Sequence, residues 1–162
     1  MGQEIKIRVE NVCKIFGPNP AKAREHVRAG IGKAELLQAT NHVLGLHDIN
    51  LDIPAGQVFV IMGLSGSGKS TLGRAIVQLM QPDGGSIQMD GNDISKLRGA
   101  ALKAHRKRIQ MIFQDPNASL NPRARIGRIL TEGPMAHGKN RADAIARARE
   151  LLLLVGLKES AM

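Results

Sequence analysis

Val58-Phe59-Val60-Ile61-Met62-Gly63-Leu64-Ser65-Gly66-Ser67-Gly68-Lys69-Ser70-Thr71 is the stretch that decides the fold. Its second part, from Gly63, fits G-x-x-x-x-G-K-[ST], the phosphate-binding P-loop. The apolar run before it, rich in β-branched residues, predicts a buried strand. Residues 71–80 after it predict a helix. A strand, a glycine-rich turn and a helix N-terminus together form a site shaped for the phosphates of a nucleotide.

Composition sets the outer limits. A chain of 162 residues is long enough for one domain with a real core. Hydrophobic residues make up 43%, which argues for a globular protein. Trp and Tyr are absent, so the core must be aliphatic and methionine-based, with Met80, Met89, Met111 and Met135 as filler. Phe16, Phe59 and Phe113 are the three aromatic residues. Cys13 is the single cysteine; it excludes an internal disulfide and suits a reducing cytosol. The N-terminus alternates Ile5, Ile7 and Val9 with polar residues, unlike a signal peptide. No apolar stretch approaches the ~20 residues of a membrane helix. The net charge of +9 suits an anionic partner, although a piece of a longer chain that lost acidic segments would show the same excess.

Outward from the loop, residues 4–15 alternate as an edge strand and end at the turn cluster Phe16-Gly17-Pro18-Asn19-Pro20. Residues 21–38 favour helix, broken near Gly30 and Gly32, and form an insertion. Residues 46–53 alternate again. Gln81-Pro82-Asp83-Gly84-Gly85 is a strong stop before a short strand at 86–91. A basic helix at 99–107 leads to a strand at 108–113. From Ala124 the chain turns helical: Ile126, Ile129 and Leu130 share an apolar face that Gly133-Pro134 stops. Residues 141–155 form a second helix with Ile145, Ala148, Leu152 and Val155 inward and Gly156 as its C-cap. Histidines 26, 42, 47, 105 and 137 are dispersed without metal-ligand spacing and read as surface or loop residues.

The chemistry follows from the loop. Gly63, Gly66 and Gly68 let the backbone wrap a phosphate, and the N–H groups through Ser65, Ser67 and Thr71 make an anion nest at a helix dipole. Lys69 should reach the β- and γ-phosphates, and Ser70 should ligand Mg²⁺.

Three further stretches narrow the family: Val12-Cys13-Lys14-Ile15-Phe16-Gly17, Ile109-Gln110-Met111-Ile112-Phe113-Gln114-Asp115-Pro116, and Ser119-Leu120-Asn121-Pro122-Arg123. With the P-loop, in this order, they resemble the ATP-binding subunit of an ABC transporter. The resemblance implies an α/β P-loop NTPase of ABC type. It would have an antiparallel β edge, an incomplete parallel RecA-like core and the start of a helical subdomain. Residues 1–123 would be the ATP-binding core, with a helical insertion at 21–45, and residues 124–162 the helical subdomain. Phe16 would be the aromatic that stacks on adenine. Gln114 would be the Q-loop glutamine that touches Mg²⁺ and the attacking water, a role its amide suits. Lys69 and Gln114 would then be the catalytic residues, Ser70 and Gln114 the metal contacts, and ATP and Mg²⁺ the cofactors.

Residues 12–72 resemble the glycine betaine/proline importer ATPases, and residues from about 71 onward the dipeptide/oligopeptide importer ATPases. A divergent natural member and a recombined or designed sequence both fit that split. The resemblance implies membrane-spanning permease subunits and a second ATP-binding subunit as partners, at the cytoplasmic face of the cell membrane. Such an ATPase also needs a signature loop, a Walker B strand and a switch histidine, and none follows Leu157. This chain alone is therefore expected to bind ATP with negligible turnover. The expected parallel strand at 58–62 would also be left poorly flanked, exposing apolar surface. Two other readings compete. A nucleic-acid-associated ABC-type ATPase suits the charge but lacks base-stacking aromatics, so no nucleic acid is expected. A nucleotide-binding module without turnover is the other.

Overall fold

The computed structural model describes residues 3–115, 119–158, 160 and 162. Two compact units divide between Met111 and Ile112. The first contains strands β1 (Ile5–Phe16), β2 (Val43–Pro54), β3 (Gly84–Met89) and β4 (Asn92–Asp93). Its helices are α1 (Pro20–Arg28), α2 (Lys33–Thr40), α3 (Lys69–Ile76) and α4 (Gly99–Arg106). The strands form one antiparallel sheet in the order β2-β1-β3-β4.

β1 was expected at an edge but lies inside the sheet, pairing with β2 on one side and β3 on the other. Asn11, with φ +50°, sits where its register shifts against both neighbours. That bulge leaves Val12 and Cys13 consecutively buried. Successive strand residues face opposite sides of a sheet, so the bulge divides the core in two. Val9 and Val12 pack with Leu72, Ala75 and Ile76 of α3 and with Ile87 and Met89 of β3. Cys13 and Ile15 pack instead with Ala23 and Val27 of α1 and Leu36 of α2.

The insertion folds as its sequence directs. Asn19 caps α1, accepting from the Lys22 amide at 3.3 Å, with Pro20 opening the helix. Asn41, left-handed at φ +55°, ends α2. Asp83, from the expected stop, ties the insertion end of the sheet together. Its carboxylate accepts from Lys14 Nζ at 3.1 Å and the Ile15 amide at 2.8 Å, and its carbonyl accepts from Arg24.

The two strands expected at 58–62 and 108–113 are absent. Neither segment is hydrogen-bonded into the sheet, and Val58 and Ile112 are 94% and 90% exposed. Buried parallel strands need neighbours on both edges, and among the described residues neither segment has one. Only Ile109 of the second segment packs on the core. The three phenylalanines are all half-exposed, and of the four methionines read as core filler only Met89 is buried.

Two histidines read as surface residues are buried. His42 donates from Nδ1 to the Thr40 carbonyl at 2.7 Å and accepts at Nε2 from the Asn19 amide at 3.2 Å, joining α1 to the end of α2. His105 of α4 is buried, and burial, then the Arg108 and Arg106 charges, push its imidazole below the ordinary value.

The second unit contains α5 (Ile126–Ala136) and α6 (Arg141–Leu154). Pro134 does not stop α5, which continues to Ala136; Gly138, at φ +90°, follows the end. A proline costs a helix one donor, and with so few residues beyond it the ladder still closes. In α6 the inward residues are Ala144, Ala148 and Leu152, with Ile145 half-buried and Val155 exposed. Gly156, at φ +77°, donates to the Leu153 carbonyl, and Leu157 donates to that of Leu152, a Schellman ending.

Two outcomes test this description. The folded His105 imidazole has a pKa held below its ordinary value, so the unfolded chain binds a proton more readily than the folded chain. Stability of the first unit should therefore fall as pH drops below 6.5, and His105→Gln should flatten that slope in thermal melts. Val58→Ser should change stability by no more than about 0.5 kcal/mol; a loss of about 2 kcal/mol or more in urea melts would restore the buried strand.

Candidate functional site

The loop at 63–71 is built from backbone. Gly66 and Gly68 hold φ of +76° and +97°, conformations that side chains disfavour. A Cβ on Gly68 would stand 2.7 Å from the Gly45 carbonyl oxygen and 3.1 Å from Leu46 Cδ2. Gly68 is the N-cap of α3 and offers no side-chain cap. The Leu72 amide bonds the Gly68 carbonyl at 2.8 Å, so the amides of Lys69, Ser70 and Thr71 have no acceptor within the helix. They form the positive end of its dipole.

Lys69 Nζ lies on the loop, donating to the Gly63 carbonyl at 2.7 Å, the Leu64 carbonyl at 2.8 Å and Ser67 Oγ at 3.5 Å. The Ser67 amide donates back to the Leu64 carbonyl. Ser65 and Ser70 are exposed beside it. An ammonium, uncapped amides and exposed hydroxyls are the donor set a polyphosphate requires, and the Ser70 hydroxyl suits a hard divalent cation.

Phe16 lies near this loop through one glycine. A Cβ on Gly45 would meet Phe16 Cε2 at 2.6 Å, while the Gly45 carbonyl stands against Gly68. Phe16 is 40% exposed, and Lys14 Nζ lies 5.8 Å from its ring centroid. A half-exposed aromatic residue and the uncapped end of α3 thus flank the same residue of β2. Gln114, the other expected site residue, is exposed and lies in the second unit. Pro116, which was part of the Q-loop reading, lies outside the described residues.

The sequence reading missed two residues. Gly45 is an isolated glycine inside a strand pattern, which signals close backbone approach. Lys33 opens α2 and its Nζ reaches the Gly66 carbonyl at 3.5 Å; nothing in the local sequence marks it, because the contact spans the insertion.

The family described as ABC transporter matches residues 46–162. The chain belongs to the ABC transporter ATP-binding family. An oligopeptide transport ATP-binding protein of Streptococcus mutans is 47% identical over 121 residues, covering 74% of this chain and 39% of its own length. The glycine betaine/proline betaine transport ATP-binding protein of Escherichia coli is 38% identical over 158 residues, covering 97% of this chain and 39% of its own. This chain thus spans about two-fifths of the length of these curated relatives. Among solved structures, a dimeric ATP-binding cassette bound to ADP and phosphate superposes with a TM-score of 0.66. It is 24% identical, and the match covers 95% of this chain and 59% of the other. That likeness supports the P-loop α/β fold class. No helix among the described residues is long and apolar enough to cross a membrane.

Gly68→Ala tests the loop geometry. It should destabilise the first unit by about 1–3 kcal/mol in denaturant melts, because the left-handed backbone and the Gly45 carbonyl both oppose a methyl group. Gly66→Ala, where a Cβ meets open space, should cost less.

Proposed function

We propose that the first unit binds ATP, with the triphosphate on residues 63–71 and the adenine on Phe16, and that the whole protein is the ATP-binding component of an ABC-type importer. The observation that carries this is the placement of Gly45 between the Phe16 ring and the N-cap of α3. An aromatic ring and uncapped helix amides on either side of one residue support a single ligand that spans both. Gly63, Ser65, Gly66, Ser67 and Gly68 supply the cradle. Lys69 exchanges its loop carbonyls for phosphate oxygens. Ser70 holds Mg²⁺, Thr71 contacts the phosphates through its amide, and Gln114 is assigned the metal and attacking water. Bound Mg²⁺ would neutralise phosphate charge; the chain's own part is to bind and orient.

Residues 1–123 are assigned as the ATP-binding core and 124–162 as the start of a helical subdomain that docks on permease subunits, with a second ATP-binding subunit as partner. That complex would sit on the cytoplasmic face of the membrane. Peptide and osmoprotectant uptake both remain in scope. The betaine-type relative aligns over nearly the whole chain, insertion included, whereas the oligopeptide relative is more identical over a shorter span.

Lys69→Ala should abolish binding of a fluorescent ATP analogue while leaving the far-ultraviolet circular dichroism unchanged. Phe16→Ala should weaken ATP by about 1–3 kcal/mol and leave inorganic triphosphate binding untouched. Equal ATP affinity in wild type and Lys69→Ala would refute the assignment.

A further inference from the structure

We propose that a second anion site lies in the first unit, in a cavity of about 260 Å³ between α1 and the bulged centre of the sheet. Its ligand class is a small molecule bearing phosphate or carboxylate. The cavity is lined by Arg24, Val27 and Arg28 of α1 and by Asn11, Cys13, His47, Asp48, Gly84 and Gly85 of the strands. No residue of the loop at 63–71 contributes to it.

Three features make it a recess with positive walls. Arg24 and Arg28 are four apart, so both lie on one face of α1, on either side of the buried Val27. Neither is in an ion pair among the described residues, and Arg24 is held by a carbonyl, that of Asp83. Burial, then the Asp83 carboxylate, push the Cys13 thiol in the cavity wall above its ordinary value, and the Arg24 and Arg28 charges both oppose that rise.

The strands keep the recess open. Asn11, Asp48 and Gly85 all have left-handed backbones, with φ of +50°, +49° and +80°. A Cβ on Gly84 would stand 2.8 Å from Arg24 Nη1, and one on Gly85 would stand 2.4 Å from the Glu10 and Asn11 carbonyl oxygens. A side chain at position 84 would displace Arg24, and one at position 85 would press on the backbone of β1. Asp48 is the one carboxylate in the lining, and its Oδ1 already accepts from Asn50 Nδ2 at 3.1 Å. Two unpaired guanidiniums with an imidazole and an amide beside them favour a bidentate oxyanion over a neutral or cationic ligand.

Cys13, the only cysteine of the chain, reports on the cavity. The whole chain would be alkylated with iodoacetamide, a neutral reagent, at constant ionic strength in the presence of inorganic phosphate or succinate. One or both anions should slow Cys13 alkylation saturably, and the one that acts identifies phosphate or carboxylate as the preferred group. Arg28→Gln, at an exposed position, should raise the half-saturating concentration about tenfold with circular dichroism unchanged. Lys69→Ala should leave it unaltered. Sodium chloride protecting as well as either anion would overturn the proposal. So would protection that survives Arg28→Gln or disappears in Lys69→Ala, or no protection at all.

Discussion

Strand β1 is hydrogen-bonded along both edges, and its bulge at Asn11 sends the two halves of its buried side chains to opposite faces. Each half then recruits a different partner. Val9 and Val12 hold α3, whose N-terminus is the proposed phosphate-binding end, and Cys13 and Ile15 hold the inserted helices. The same strand ends in Phe16, paired with Val43 two residues before Gly45. One strand therefore fixes the helix that would receive phosphate, the ring that would receive a base, and the arginine-lined recess behind them.

The antiparallel strands were legible one by one because they alternate, but their order was not, since β1 pairs with β3 from beyond the P-loop segment. The apolar runs at 58–62 and 108–113 were equally strand-like in composition, yet neither is a strand here. Composition records that a segment could be buried on both faces; a strand is a property of pairing. Parallel neighbours arrive through crossovers of a dozen residues or more, and no described residue supplies them. The exposure of Val58, Val60 and Met62 is the counterpart of that unmet pairing, as the reading of a poorly flanked strand anticipated.

The phosphate loop was legible for a different reason: its donors are contiguous, so residue order is almost geometry. Lys33, Gly45 and His42 depend instead on chain segments brought together by the insertion. His42 read as a surface or loop histidine because the five histidines are dispersed without metal-ligand spacing. It is buried because its two ring nitrogens satisfy the Thr40 carbonyl and the Asn19 amide, and buried polar groups survive where every hydrogen-bonding atom is matched. Pro134 misled in the opposite direction, since a local rule for helix termination was applied where the helix had only two residues left to run.

A left-handed N-cap separates α3 from the other helices: α2, α4 and α5 also lack a side-chain cap, but their N-caps have extended backbones. Asn19 and Asn140 close the N-termini of α1 and α6, accepting from the Lys22 and Asp143 amides. At α3 the equivalent residue is Gly68, which has no side chain to offer. A serine or asparagine there would satisfy first-turn amides but would meet the Gly45 carbonyl, strain the left-handed backbone and occupy donors that a phosphate needs. Glycine leaves the helix dipole uncompensated until an anion arrives. The uncapped start of α3 and the phosphate site proposed there are then two aspects of one unfilled hydrogen-bonding capacity, and ligand binding should stabilise the first unit through the same amides.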